Sequence, residues 1–431
     1  MKYFAEQAWV DGKIERDVLI EVTDGRFASV TPGAPAAGTR LPGLTLPGLA
    51  NAHSHAFHRA LRGWTHGERG TFWTWRDLMY AVAGRLDPDT YFTLARAVYG
   101  EMALAGITCV GEFHYLHHAP DGVPYADPNA MGHALTEAAR EAGIRITLLD
   151  TVYLTSSVDG KPLEGVQRRF GDGDYDGWAA RFDLLKAAPG RKIGAALHSV
   201  RAVPVDGMAT FAYRTNGLPV HLHLSEQQAE NEQCHAKHGC SPTELLEAMG
   251  VWQPLTTAVH ATHLSAGDLR ILGGQHVCLC PTTERDLADG IGPARLLADA
   301  GATLSLGSDS HAVIDLFEEA RAVELDERLA TQQRGHFTAA ELLAAATVSG
   351  HTALGWDDAG TIAVGKRADL VTVALDSVRT AGVNPAALVF TATAADVTGV
   401  IVDGRPVVED GRHTALDVPA ELRAAILAVL P

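Results

Sequence analysis

"LPGLTLPGLANAHSHAFHRALRG", residues 41–63, places three histidines, His53, His55 and His58, directly after an apolar run. In an extended chain residues i and i+2 point to the same side, so His53 and His55 project together from the end of a strand. Two imidazoles aimed at one point suggest a metal. With 20 histidines in 431 residues, roughly one His-x-His triplet is expected by chance. The triplet acquires meaning only from what surrounds it.

The same grammar, an apolar run with a polar end, recurs along the chain. "GITCVGEFHY" (106–115), "GIRITLLDTVY" (143–153), "KIGAALHSV" (192–200), "LPVHLHLSE" (218–226), "TTAVHATHL" (256–264), "HVCLCPTT" (276–283) and "ATLSLGSDS" (302–310) read as strands. Helix-like stretches such as "PNAMGHALTEAAREA" and "SPTELLEAMG" separate them. Repeated β-then-α units predict a parallel sheet, and about eight of them predict a closed (β/α)8 barrel over residues 47–359. Residues 1–46 and 360–415 instead alternate short β-type runs with "DG" and "PG" turns, the texture of hairpins. They are expected to form one discontinuous β-sandwich domain, and residues 416–431 a short amphipathic C-terminal helix.

A formal charge of −17 argues against nucleic acid or an anionic membrane as partner. It leaves room for an anionic substrate, because a few arginines can reverse the sign inside a pocket. Five cysteines without a C-x-x-C pair fit a reducing compartment, and the N-terminus "MKYFAEQAWVDGKIERDV" has no apolar signal core. No apolar stretch reaches the length of a membrane span. A soluble cytoplasmic protein is expected.

In barrel enzymes the chemistry sits at the carboxyl ends of the strands. Those ends here carry His53 and His55; Glu112, His114 and Tyr115; His198 and Arg201; His221, His223 and Glu226; His260 and His263; and Asp309 and His311. Six strands converge on one rim, a placement that random histidines have no reason to prefer. Imidazole with carboxylate suits one divalent first-row ion, zinc foremost and Fe²⁺ as the alternative, whereas Mg²⁺ and Ca²⁺ take oxygen throughout.

Taken together, "HSH", "HLHLSE", "VHATH" and "GSDSH" resemble the amidohydrolase superfamily, and the resemblance covers nearly the whole chain. It implies that His53, His55, His223 and Asp309 ligate one divalent metal, with Glu226, His260 and Asp309 as the catalytic set. Binuclear members carry a bridging lysine after the fourth strand; "GAALHSVRAV" has His198 instead and resembles the mononuclear deaminase branch. Within it, "HSHAFHRA", "FWTWRDLMY", "EFHYLHH", "QRRF", "LHSVRAV", "HATH" and "DGIGP" resemble the formimidoylglutamate deiminase family. That family's behaviour implies hydrolysis of N-formimino-L-glutamate, a small dicarboxylate, by a homodimeric enzyme of histidine degradation. Arg76, Tyr115, His198 and Arg201 would hold the substrate, with His58 standing where glutamine is common. "TERDLADG" departs similarly from a more familiar "TEANLGDG".

The substrate class has physical support of its own, since Arg76 and Arg201 can each grip a carboxylate bidentately. Glu226 would shuttle the proton to the imino nitrogen, Asp309 would take one from the attacking water, and His260 would stabilise the tetrahedral centre. A nucleobase or other amidine deaminase on the same scaffold, stacking a ring on Trp73 or Trp75, is the alternative. A silent scaffold is disfavoured by the intact ligand and proton-shuttle residues. Plainer roles are expected for His114, His117 and His118, for His221, for the supporting residues His263 and His311, and for the buried pair Cys278 and Cys280.

Overall fold

The structure is a computed structural model describing residues 1–66, 70 and 72–431, without the side chains of residues 72 and 73. One of its two sheets contains eight parallel strands: β1 (Leu49–Ser54), β2 (Ile107–His114), β3 (Arg145–Val152), β4 (Arg191–Leu197), β5 (Val220–Leu224), β6 (Thr256–His260), β7 (His276–Leu279) and β8 (Thr303–Leu306). They lie in chain order, as consecutive right-handed β-α-β crossovers require. Every residue of β1, β2 and β3 is buried, the signature of strands covered on both faces. The sheet closes on itself past the ends of β1 and β8. There His55 N–H donates to the Asp309 carbonyl (3.2 Å) and Asp309 N–H to the His53 carbonyl (3.0 Å). The expected (β/α)8 barrel is what the chain builds.

The second sheet unites both chain ends. Lys2–Val10, Lys13–Thr23, Arg26–Thr31 and Thr39–Pro47 come from the N-terminal side, and Leu370–Val373, Val397–Val402, Arg405–Glu409 and Arg412–His413 from the C-terminal side. The halves join where Thr39–Pro47 pairs antiparallel with Leu370–Val373. Its "DG" corners have positive φ at both residues (49° and 77° at Asp11–Gly12, 48° and 77° at Asp403–Gly404), the geometry that lets a two-residue turn follow strand twist. A separate apolar cluster including Tyr3, Val18, Ile20, Phe27, Leu370 and Ile401 fills this domain. Arg145 of β3 is buried against Asp369 and fastens it to the amino end of the barrel.

The terminal helix Val418–Val429 docks on helix Pro88–Leu104, where Arg96 bridges Glu421 (3.0 Å) and Glu141 (2.9 Å). A Cβ at Gly100 would meet Val418 at 2.8 Å, so this close approach requires glycine. Among the described residues no helix is long and apolar enough to cross a membrane. All five cysteines are free thiols.

Candidate active site

The strand ends deliver their side chains over the barrel rim through a bent backbone. Ser225, His260, Ala261, Asp309 and His311 all have φ between 40° and 68°, a region that side-chain-bearing residues enter at a cost. Strain gathered on one rim is a mark of a site whose surroundings enforce it.

At its floor, His53 and His55 of the β1 end, His223 of β5 and Asp309 after β8 converge. Asp309 Oδ1 lies 3.2 Å from His53 Nε2 and 3.3 Å from His55 Nε2, and the Nε2 atoms of His55 and His223 face each other at 3.4 Å. The second nitrogens of these last two rings settle the tautomers. His55 Nδ1 donates to the Phe113 carbonyl (3.0 Å) and His223 Nδ1 to the His198 carbonyl (2.9 Å). Both Nε2 atoms therefore present bare lone pairs to one another, a repulsive arrangement unless a cation lies between them. Ligands at about 2.1 Å from one tetrahedral ion stand roughly 3.3 Å apart, which is the spacing found. Burial, aided by the neighbouring imidazoles, lowers the pKa of His55 and His223 well below its ordinary value, and neutral imidazole is the ligating form. The donor set fits a divalent ion.

His260 completes a tight group with His53, His223 and Asp309. Its Nε2 lies 3.9 Å from both Glu226 Oε1 and Asp309 Oδ2, while Nδ1 approaches Glu284 Oε1 at 3.4 Å. Burial opposes a charge on this ring, yet Glu226, Glu284 and Asp309 together hold its pKa well above the usual histidine value. Burial raises the pKa of Glu226, Asp309 and Glu284 push the same way, and His260 and Arg201 resist. His260 and Glu226 thus act on each other's proton, each drawing the partner toward its charged form against the cost of burial.

Above the floor opens a cavity of about 450 Å³. Its wall includes His55, His58, Arg76, Tyr115, His198, Arg201, His223, Glu226, His260 and Asp309, so those sequence-derived candidates meet in one space. His53 lies fully buried beneath it. Arg201 is partly open to the cavity, and among the described residues no side-chain hydrogen bond or ion pair engages its guanidinium. His58 shares a hydrogen bond with the Tyr115 hydroxyl (2.9 Å), and burial lowers its pKa to about 4. Trp75 meets the His58 ring edge-on at 5.3 Å. Trp73, the other ring considered for stacking, has its side chain outside the described residues.

The sequence signature of the amidohydrolase family matches residues 44–407. The chain is an amidohydrolase. This amidohydrolase is 37% identical over 449 residues to formimidoylglutamate deiminase of Pseudomonas aeruginosa, covering 99% of each chain. It is 29% identical over 418 residues to a 5-methylthioadenosine/S-adenosylhomocysteine deaminase of Halobacterium salinarum, covering 94% of this chain and 91% of that protein. The crystal structure of an amidohydrolase from Brucella melitensis superposes with a TM-score of 0.93 at 32% identity over 99% of each chain.

Behind the floor of the amidohydrolase site a buried scaffold fixes the β1 end. Glu112 accepts from Ala56 N–H and the Ser54 hydroxyl, each at 2.7 Å. His311 bridges Ser308 Oγ (2.9 Å) and Ser54 Oγ (3.2 Å). His263 donates to the Asp289 carbonyl (2.8 Å) and His221 to the Ala353 carbonyl (3.3 Å). Cys278 and Cys280 are buried against Ala52 and Val259.

The "FHYLHH" histidines belong to another network. His114 Nε2 reaches His117 Nδ1 (3.3 Å), His117 Nε2 donates to the Thr151 carbonyl (2.9 Å), and His118 Nε2 to Asp172 Oδ1 (3.0 Å). Their carboxylate neighbour Asp150 is already taken by Arg181 (2.6 and 3.1 Å) and Trp178 (3.0 Å). None of the three histidines lines the cavity.

Two site residues escaped sequence reasoning. Glu284 hides inside "TERDLADG", yet it receives Cys280 N–H (3.0 Å) and faces His260. Glu230 sits in "EQQAENEQ", which reads as a solvated helix face, but only 6% of it is exposed and it lines the cavity.

Proposed function

We propose that this amidohydrolase converts N-formimino-L-glutamate and water into N-formyl-L-glutamate and ammonia. The observation that carries the reading is Arg201, a guanidinium set into the cavity wall that no hydrogen bond or ion pair engages among the described residues. An unpaired charge away from bulk water is expensive, and a carboxylate-bearing substrate would relieve that cost on binding. The extensive identity to a formimidoylglutamate deiminase supports the same substrate. By this reading the enzyme serves histidine degradation in the cytoplasm.

His53, His55, His223 and Asp309 would hold a single divalent ion, zinc being the natural occupant of a three-nitrogen, one-oxygen set. Such an ion supplies Lewis acidity and lowers the pKa of a water to about 7. The remaining chemistry belongs to the side chains. Arg201 and Arg76 would each take one substrate carboxylate, fixing the formimino carbon above the floor. Tyr115, His198 and His58 would pack and hydrogen-bond the chain between them.

As the new C–O bond forms, Asp309 would accept a proton from the attacking water. Glu226, protonated in its low-dielectric position, would donate to the imino nitrogen. The cationic His260 would hydrogen-bond the oxygen on the tetrahedral carbon, where negative charge develops. Glu226 would then recover a proton from the hydroxyl on the tetrahedral carbon and pass it to the same nitrogen; the C–N bond would break to release ammonia as the formyl C=O forms, and the proton held by Asp309 would restore Glu226.

Ammonia release from N-formimino-L-glutamate, measured against a panel of aminopurines and aminopyrimidines, tests the proposal. Turnover confined to the amidine dicarboxylate is expected. Turnover confined to a ring amine would overturn it in favour of the nucleobase reading.

A further inference from the structure

Glu230 occupies the first turn of helix Gln228–His238, four residues beyond Glu226. A carboxylate there would complement the helix dipole from water. Glu230 instead turns inward, lines the cavity, and leaves its buried Oε1 without a hydrogen-bond partner among the described residues. A carboxyl buried with an open oxygen is costly unless it is neutral or meets a ligand. The groups acting on it are Arg201 beyond β4, Glu226 beyond β5, His260 at the end of β6, and the Ser225 backbone N–H. Burial, with Glu226 adding to it, raises its pKa to about 7 against the pull of Arg201 and His260.

We propose that Glu230 is a specificity-determining residue that donates a carboxylic O–H to the substrate carboxylate gripped by Arg201. The assignment rests on the dicarboxylate reading above and deepens it. A neutral carboxyl explains how Arg201 can stand beside an acid and still be available to an anion. It also gives the site a second, pH-gated reader of the same substrate group. Once Glu230 ionises it repels that carboxylate and competes for Arg201, so substrate binding weakens while the proton path through Glu226 stays in place.

The test is calorimetric binding of the product N-formyl-L-glutamate and of glutarate to the metal-loaded enzyme, from about pH 6 to about pH 8.5. Wild-type affinity is expected to fall about tenfold between pH 7 and 8.5. Titrations at pH 8 in buffers of different ionisation enthalpy should show close to one proton taken up per ligand bound, a readout that needs no variant. Glu230→Gln keeps a donor that cannot ionise, so it should bind within about threefold of wild type at pH 6.5 and lose the decline. Parallel pH profiles for the two proteins, or no proton uptake by wild type, would overturn the assignment alone. Absence of dicarboxylate binding by either protein at every pH would overturn the dicarboxylate reading and this assignment with it.

Discussion

His260 is held from behind by Glu284, whose Oε1 lies 3.4 Å from Nδ1 while also accepting Cys280 N–H at 3.0 Å. The carboxylate is thus fixed by backbone before it fixes the ring. It leaves Nε2, which faces Glu226 and Asp309, to address the cavity. Glu284 is a positioning residue for an imidazolium. Glu284→Gln should lower kcat by about 10- to 100-fold with little change in KM, the scale of losing an orienting partner. Its kcat profile should also gain an alkaline limb as His260 loses its proton more easily; an unchanged profile would remove Glu284 from this role.

Glu226→Gln keeps the shape of the site and removes the transferable proton. Metal content should be unchanged, while kcat falls about 10²- to 10⁴-fold. Metal analysis and steady-state turnover on the same preparation check both halves.

Arg201→Ala should act mainly on binding. Losing a bidentate, charge-assisted contact is worth about 2–3 kcal/mol, a drop on the order of 10²-fold in kcat/KM carried chiefly by KM. A kcat/KM within twofold of wild type would exclude Arg201 from carboxylate recognition.

The opposed lone pairs of His55 and His223 make a stripped site unfavourable. Chelation should lower Tm and abolish turnover, and one equivalent of Zn²⁺ per chain should restore both. Restoration that requires two equivalents would contradict a mononuclear site.

Asp172 connects pH to stability. It accepts from His118 Nε2 at 3.0 Å and from Arg181 Nε and Nη2 at 2.9 Å each. Burial alone would raise its pKa, but His118 and Arg181 outweigh burial and hold it well below the usual carboxylate value. The folded state therefore binds this proton less readily than the unfolded one. The resulting stability is present above about pH 4 and is lost as pH falls further. Asp172→Asn should cost about 3 kcal/mol in urea unfolding at pH 7, and the difference from wild type should shrink on acidification.

The barrel and the convergence of the candidate ligands were legible in the sequence for one reason. A buried parallel strand reads as an apolar run, and its rim end reads as the first polar residues after it, as in "LPVHLHLSE" and "ATLSLGSDS". His53, His55, His223 and Asp309 all stand at such ends. Glu230 and Glu284 do not, since each follows a strand by several residues and returns to the cavity only through the geometry of a helix or turn. "FHYLHH" is the opposite case: its spacing looks ligand-like, yet plainer roles are expected of it, and there His117 donates to the Thr151 carbonyl and His118 to Asp172. The docking of the terminal helix on Pro88–Leu104 is equally silent in sequence, because amphipathicity gives a face without naming its partner.

The backbone exchange between His53, His55 and Asp309 has a further consequence for how the enzyme matures. These residues sit on both sides of the barrel's seam, so the proposed ion would act as a clasp over the last joint to be made. No nascent chain shorter than Asp309 carries the full ligand set, and metal loading would have to wait until the ring has closed. Heat or acid that parts the seam would, by the same geometry, release the ion and the activity in a single event.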